Sequence, residues 1–196
     1  CRVEDLILKG TKIEGVVDQH ENKILGHSLI LATGHSARDI FHLLDRHKIL
    51  IEAKSFALGV RIEHPQPIID KAQYHCNVRS KYLPAASYKF VQQVNDKGVF
   101  SFCMCPGGHI VPSATAPGEV VVNGMSASTR SSRYANSGMV VAIEQEDLIK
   151  YAKYGELAGL IFQQEIEKMA WEAGGKTQVA PAQRMVDFTN GKFSNT

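Results

Sequence analysis

Cysteine is scarce and tryptophan nearly absent: the 196 residues hold four cysteines and one tryptophan. Two of the cysteines, Cys103 and Cys105, stand one residue apart. That is not the spacing of a secreted disulfide framework, and a reducing cytoplasm is the compartment expected. An excess of charge of either sign is also missing. Lysine and arginine number 22 against 20 aspartate and glutamate, a formal net charge of +2, and the two signs interleave without a basic stripe, so no nucleic-acid partner is implied. No apolar run approaches the roughly 20 residues that cross a bilayer. No membrane partner is expected, and no signal-peptide pattern is visible. Neither Gly-x-Ser-x-Gly nor a helical His-Glu-x-x-His occurs, which removes the commonest hydrolase signatures. Internal repeats and low-complexity tracts are absent as well.

What is present is a sequence that is 44% hydrophobic, enough for a packed core in one large or two small domains. Its pivot is Leu29-Ile30-Leu31-Ala32-Thr33-Gly34-His35-Ser36-Ala37-Arg38-Asp39. The apolar run predicts a buried strand. Ser36 and Asp39 have capping-box spacing, and Ile40, Leu43 and Leu44 form the stripe of a helix lasting to about His47. The Thr33-Gly34-His35 turn would then lie beside free N–H groups at the positive end of a helix, a place that suits a phosphate or another polar cofactor edge. An ordinary strand-to-helix connection gives the same pattern. Ahead of it, Asp5–Leu8 and Lys12–Val17 flank the turn Lys9-Gly10-Thr11, and Lys23–Gly26 follows a polar turn at Asp18–Asn22. Together these predict a small β-meander.

A meander closing on a strand that ends Ala32-Thr33-Gly34 resembles the later half of the FAD domain in the superfamily of two-dinucleotide-binding-domain flavoproteins. More narrowly, Leu31–Ile40 together with Ser55–Asp70 and Phe102–Ser137, most specifically Gly59-Val60-Arg61-Ile62-Glu63-His64-Pro65-Gln66 and Cys103-Met104-Cys105-Pro106-Gly107-Gly108 in this order, resemble the bacterial family described as uncharacterised FAD-dependent, or NAD(FAD)-utilising, dehydrogenases. The departure is the missing Gly-x-Gly-x-x-Gly, whose glycines let backbone approach the pyrophosphate. With a start at Cys1 and a polar tail at Gly191–Thr196, the expectation is an internal fragment of a longer flavoprotein, its partners being the missing N- and C-terminal parts of the same protein. Self-association through a truncated FAD-domain surface is also expected.

The fold class expected is α+β, with mixed α/β character. Residues 1–48 would be a partial FAD-binding domain of meander, strand and helix, and 49–196 a cap or substrate domain with an antiparallel sheet and packed helices. Within the latter, Ser55–Glu63 predicts a strand stopped by His64-Pro65-Gln66-Pro67, and Pro67 opens a short helix to Tyr74. Four strands, Tyr88–Val94, Gly98–Met104, His109–Pro112 and Glu119–Asn123, separated by turn residues, predict one meander. Gly124–Asn136 reads as polar loop and Ser137–Ile143 as an apolar strand. A helix within Glu146–Ala173 is interrupted near Gly155, with Ala158, Phe162, Ile166, Met169 and Ala170 on its packed face.

Three readings compete for Cys103-x-Cys105-Pro106-Gly107-Gly108-His109. The cysteines read as small core residues beside a hairpin turn; as neighbours of a flavin or substrate that Gly107 and Gly108 let approach closely; or, with His75, Cys76 and His109, as zinc ligands, although the usual Cys-x(2–4)-Cys spacing is missing. A Cys103–Cys105 disulfide is disfavoured because alternating strand residues point to opposite faces. Arg61, and Arg130 within Arg130-Ser131-Ser132-Arg133, are suited to a bidentate grip on a carboxylate or phosphate, or equally to a solvated ion pair. The resemblance adds Asn123-Gly124-Met125-Ser126 to the neighbourhood. It implies an FAD-dependent oxidoreductase, with NAD(P)H as a candidate reductant and a small-molecule substrate. Cofactor contacts would fall at Thr33, Gly34, His35, Gly107 and Gly108, and substrate contacts at Arg61, Cys103, Cys105 and Arg130. A flavin-binding protein used for sensing or RNA modification is the alternative.

Overall fold

A computed structural model describes residues 1–194; the last two residues of the expected polar tail lie outside the described residues. The chain divides into two compact units, Cys1–Glu52 and a second beginning at Ala53. Both mix helices with antiparallel sheet, the α+β class read from the sequence.

In the first unit, β1 (Val3–Lys9), β2 (Lys12–Asp18) and β3 (Lys23–Leu25) form an antiparallel meander in sequence order. Gly10 sits at φ +61° in the first turn, a conformation that costs glycine nothing. The second turn is built by Asp18, whose Oδ1 accepts the N–H groups of His20 and Asn22 at 2.8 and 2.9 Å. A short polar side chain thereby replaces a missing backbone partner. Helix α1 spans Arg38–Arg46, and Leu43 is its buried contact. Its C-terminal end is held by Arg46, which donates to the Glu4 carbonyl at 3.0 Å, and by His47 against Asp5.

Two expectations fail here. Ala37, not Ser36, is the N-cap, and no side chain caps the helix; the Ser36 hydroxyl lies 3.2 Å from His35 Nδ1 instead. Leu29–Leu31 is not a buried strand either. It is irregular and open, with Ile30 89% exposed, because the sheet ends at β3 and no described strand offers this segment a ladder of hydrogen bonds.

The second unit is organised on β9 (Tyr134–Ile143), which lies between β4 (Phe56–Pro65) and β6 (Lys97–Cys105), with β5 (Val91–Val94) on the outer side of β6. Strands β7 (Gly108–Pro112) and β8 (Val122–Ser126) form a separate hairpin. The expected single meander is therefore wrong. Strand β6 pairs with the distant β9 and not with its successor, because the Pro106-Gly107 turn, with Gly107 at φ +52°, carries the chain out of the sheet. Residues 134–136, read as polar loop, instead begin the central strand β9, where Asn136 pairs with Glu63 of β4 and Cys105 of β6. Ala135, Asn136 and Ser137 are fully buried there, tolerated because the polar pair is hydrogen-bonded to Arg61, to Gly138 and to Phe102.

Helix α2 (Gln66–Tyr74) starts with Pro67 in its first turn, as the sequence predicts, and ends at His75 in the left-handed region. A run of 3-10 turns over Gln145–Leu157 breaks at Gly155, φ +55°, before α3 (Ala158–Ala173). Phe162 of α3 packs on Phe56 and Tyr151, at centroid distances of 6.3 and 5.4 Å. Met169, expected on this packed face, is instead 57% exposed. A short α4 (Met185–Thr189) closes the described chain.

Candidate functional site

The densest gathering of chemically capable side chains lies on one face of the four-stranded sheet. Register places Arg61 of β4 opposite Gly138 of β9, and Gly138 opposite Phe102 of β6. A Cβ on Gly138 would stand 3.0 Å from the Phe102 carbonyl, and three acceptors receive the guanidinium of Arg61. Its Nη1 donates to Asn136 Oδ1 at 2.6 Å and to the Cys103 carbonyl at 3.2 Å, and its Nη2 donates to Asn123 Oδ1 at 3.1 Å.

The Cys103 carbonyl is available because β6 bulges. Three steps along β6, from Phe102 to Cys105, face two along β9, from Gly138 to Asn136, and Cys103 adopts φ +45°. Such a bulge frees a carbonyl from the ladder, at a conformational cost of about 1 kcal/mol for a residue with a Cβ. The Cys105 thiol donates to the same carbonyl at 3.3 Å. Gly124 completes the arrangement: a Cβ there would lie 2.2 Å from Arg61 Nη1 and from Asn136 Oδ1. The structure thus brings together Arg61, Cys103, Cys105 and the Asn123-Gly124 pair.

Gly107, Gly108 and Arg130 lie at the neighbouring turn. Both glycines are buried, and their missing side chains make room for the protein itself. A Cβ on Gly107 would stand 1.9 Å from the Arg130 carbonyl, and one on Gly108 would stand 2.6 Å from the Met125 carbonyl. Arg130 contributes this backbone contact while its residue as a whole is exposed. The zinc grouping does not assemble, since no cluster of three or more His, Cys, Asp or Glu able to hold a metal exists among the described residues.

Two polar assemblies escape sequence reasoning. Gln66 and Asp70, one helical turn apart and both buried, form a hub: Gln66 Nε2 donates to Asp70 Oδ1 and to the Ala86 carbonyl, while Gly107 N–H donates to Gln66 Oε1 at 2.7 Å. Asp70 also accepts from Ala86 N–H and pairs with Arg79 Nε at 2.9 Å. The hub fixes the loop before β5 and the Gly107 turn to α2. On the opposite face of β4, His64 Nε2 meets the Tyr88 hydroxyl at 3.0 Å, leaving the buried Nδ1 of His64 without a partner. Burial raises the Tyr88 pKa, opposed by a hydrogen bond from Ser137 and the charge of Arg61. The only signal for either assembly was the i,i+4 spacing of Gln66 and Asp70.

In the first unit, Thr33-Gly34-His35 is exposed, and a Cβ on Gly34 would meet nothing within 4 Å. Nearby, a cavity of about 640 Å³ opens between the sheet and α1, lined by Leu6, Ile13, Val16, Leu31, Ile40 and Leu43 among others. Its lining is mainly apolar, with Thr11, Thr33, His47 and Lys48 among the polar residues that reach it. No helix among the described residues is long and apolar enough to cross a membrane.

Comparison with known proteins places these features. The chain is 40% identical over 195 residues to an uncharacterised protein of Clostridium beijerinckii, an alignment covering 98% of this chain and 36% of that protein. The chain therefore spans about a third of the length of the curated relative it matches. Residues 55–196, which include the Arg61 face, the Gln66–Asp70 hub and the Gly107 turn, match the family model described as FAD-dependent protein, C-terminal domain-like. By that match, over most of its length, the chain belongs to the family of FAD-dependent proteins.

Proposed function

We propose that this chain is part of a longer cytoplasmic FAD-dependent oxidoreductase, in which its second unit forms the cap over the substrate and its first unit contributes to the FAD domain. The match of residues 55–196 to an FAD-dependent family carries the reading, and a matched relative of much greater length supports the longer polypeptide. Thr33, Gly34 and His35 are assigned to the cofactor side, since the turn is open and leads into α1. Gly107 and Gly108 are also assigned as cofactor contacts, and Arg61, Cys103, Cys105 and Arg130 as substrate contacts.

The residues present fit one edge of FAD and not the whole. A pyrophosphate needs several converging backbone N–H groups; in the first unit Thr33-Gly34-His35 offers one short open turn, and the cavity beside it is mainly apolar. Bound FAD would supply hydride or electron transfer, while the protein's part is orientation and electrostatics. Further sequence of the same polypeptide is the partner proposed for the open Leu29–Leu31 segment, whose Ile30 is 89% exposed.

The test has two arms. The absorbance spectrum of the longer protein should show bound flavin that bleaches on titration with NADH or NADPH. Flavin that is retained but unreactive toward every reductant would favour a binding or sensing role, and no flavin at all would overturn the reading. Equilibrium dialysis of the 196-residue chain against FAD, with light scattering, should show only weak binding. Micromolar binding by a monodisperse monomer would contradict the assignment of the missing donors to further sequence.

A further inference from the structure

Arginine carries five N–H donors in one plane. In Arg61, both donors of Nη1 are taken by Asn136 and Cys103, and one donor of Nη2 by Asn123. Two remain, Nε–H and the second Nη2–H. Nε and Nη2 flank one edge of the guanidinium, an edge that grips a carboxylate with two parallel bonds.

The charge is also unanswered. All three protein acceptors are neutral, and Arg61 forms no ion pair among the described residues. Glu63, two residues along the same strand, is exposed and does not close on it. A half-buried cation held only by neutral oxygens retains most of its attraction for an anion.

A second observation comes from Asn136. It is fully buried, yet its Nδ2 has no hydrogen-bond partner. Reversing the amide would set that donor against the donors of Nη1, so the guanidinium fixes which way Asn136 points, and Asn136 fixes the guanidinium in return. Buried donors are rarely left unmet without a reason, and here the orphan follows from placing a neutral acceptor where aspartate would have cancelled the charge. Gly124 keeps the space beside Nη1 clear. Phe102, 55% exposed and on the same face one strand beyond Gly138, supplies an apolar surface.

We propose that Arg61 anchors a binding site for a small organic carboxylate with an apolar body, gripped by the Nε–H and Nη2–H edge and resting against Phe102, with Asn136 as a positioning residue. The proposal rests on the functional reading above only in taking this face as the substrate side, and its test uses no flavin, so the two fail separately. Arginine Nε–H signals of the 15N-labelled chain are followed by NMR during titration with benzoate, acetate, benzamide and inorganic phosphate. Benzoate should shift one Nε–H signal saturably, and that signal should be missing in Arg61→Lys; benzamide should leave it in place. Asn136→Asp, nearly isosteric, sets a carboxylate on Nη1 and should weaken benzoate about tenfold or more with the backbone spectrum retained. Phe102→Ala, at an exposed position, should weaken benzoate while leaving acetate unchanged. The proposal is overturned by absence of a saturable shift, by benzamide matching benzoate, by phosphate binding more tightly than benzoate, or by Phe102→Ala weakening both carboxylates equally.

Discussion

Asp70→Ala should be among the most destabilising single changes in the second unit outside its apolar core. The carboxylate is 6% exposed and holds three partners: Gln66 Nε2 at 2.8 Å, Ala86 N–H at 2.9 Å and Arg79 Nε at 2.9 Å. Removing one partner of a buried ion pair costs about 3–5 kcal/mol when the other cannot escape. The Arg79 side chain is 29% exposed and can turn to water, which brings the charge contribution down to about 1–2 kcal/mol. Gln66 Nε2 keeps the Ala86 carbonyl at 3.0 Å, so it is not orphaned. Ala86 N–H is, and a buried unmet donor adds about 1–2 kcal/mol. The sum is about 3 kcal/mol. Trp171, the sole tryptophan, lies in α3, so its fluorescence during urea unfolding follows the second unit. With a slope of about 2 kcal/mol/M, the midpoint should fall by about 1.5 M. Asp70→Asn keeps an acceptor for Ala86 and should fall by about half as much. An Asp70→Ala midpoint within about 0.3 M of the parent would refute the view of Gln66 and Asp70 as the hub that holds the loop.

Gly107→Ala sets a Cβ 1.9 Å from the Arg130 carbonyl at φ +52° and should lower the melting temperature by about 6–10 °C, from about 3 kcal/mol. Gly118→Ala, at φ +76° with nothing within 4 Å, bears only the backbone cost of about 1 kcal/mol and serves as the control in the same melts. Asp5 is held below the ordinary aspartate range chiefly by its hydrogen bond from His47, with Leu6 N–H and Arg46 adding to the effect. A depressed folded-state value means that the stabilisation is full above about pH 5 and is lost as pH falls through and below about 4. Asp5→Asn should therefore be less stable than the parent at pH 6 and equal to it near pH 2, read from NMR intensities of β1 amides in urea. An unchanged gap between parent and variant at low pH would show that His47 does not act through the Asp5 charge.

The local elements were readable because each carries its own chemistry. Gly10 at a hairpin turn, Pro67 in a first helical turn and Gly155 between two helical runs force their backbone conformations within a few residues. Arg61 was readable as an anion-gripping residue only in kind. Its three acceptors come from positions 103, 123 and 136, and nothing local marks them as neighbours.

Where the sequence misled, the deciding force was local in one case and long-range in the others. The Ser36 capping pattern lost to a local contact with His35, and the apolar Leu29–Leu31 run stayed open because strand formation needs a neighbour that the described sheet does not provide. Conversely, Ala135-Asn136 looked like loop by polarity and became the buried start of the central strand β9, since the Asn136 side-chain carbonyl oxygen gains a tertiary donor from Arg61. By itself the sequence determined the Gly10 turn and the Gly155 break, the existence of helices α1, α2 and α3, the α+β class and the resemblance to FAD-dependent proteins, all of which depend on short-range conformational preference or on ordered motifs. Only the tertiary structure decided that β6 pairs with β9, that Gln66 and Asp70 form a hub, and that Asn136 rather than an acid meets Arg61, because these are pairings across tens of residues that only folding brings together.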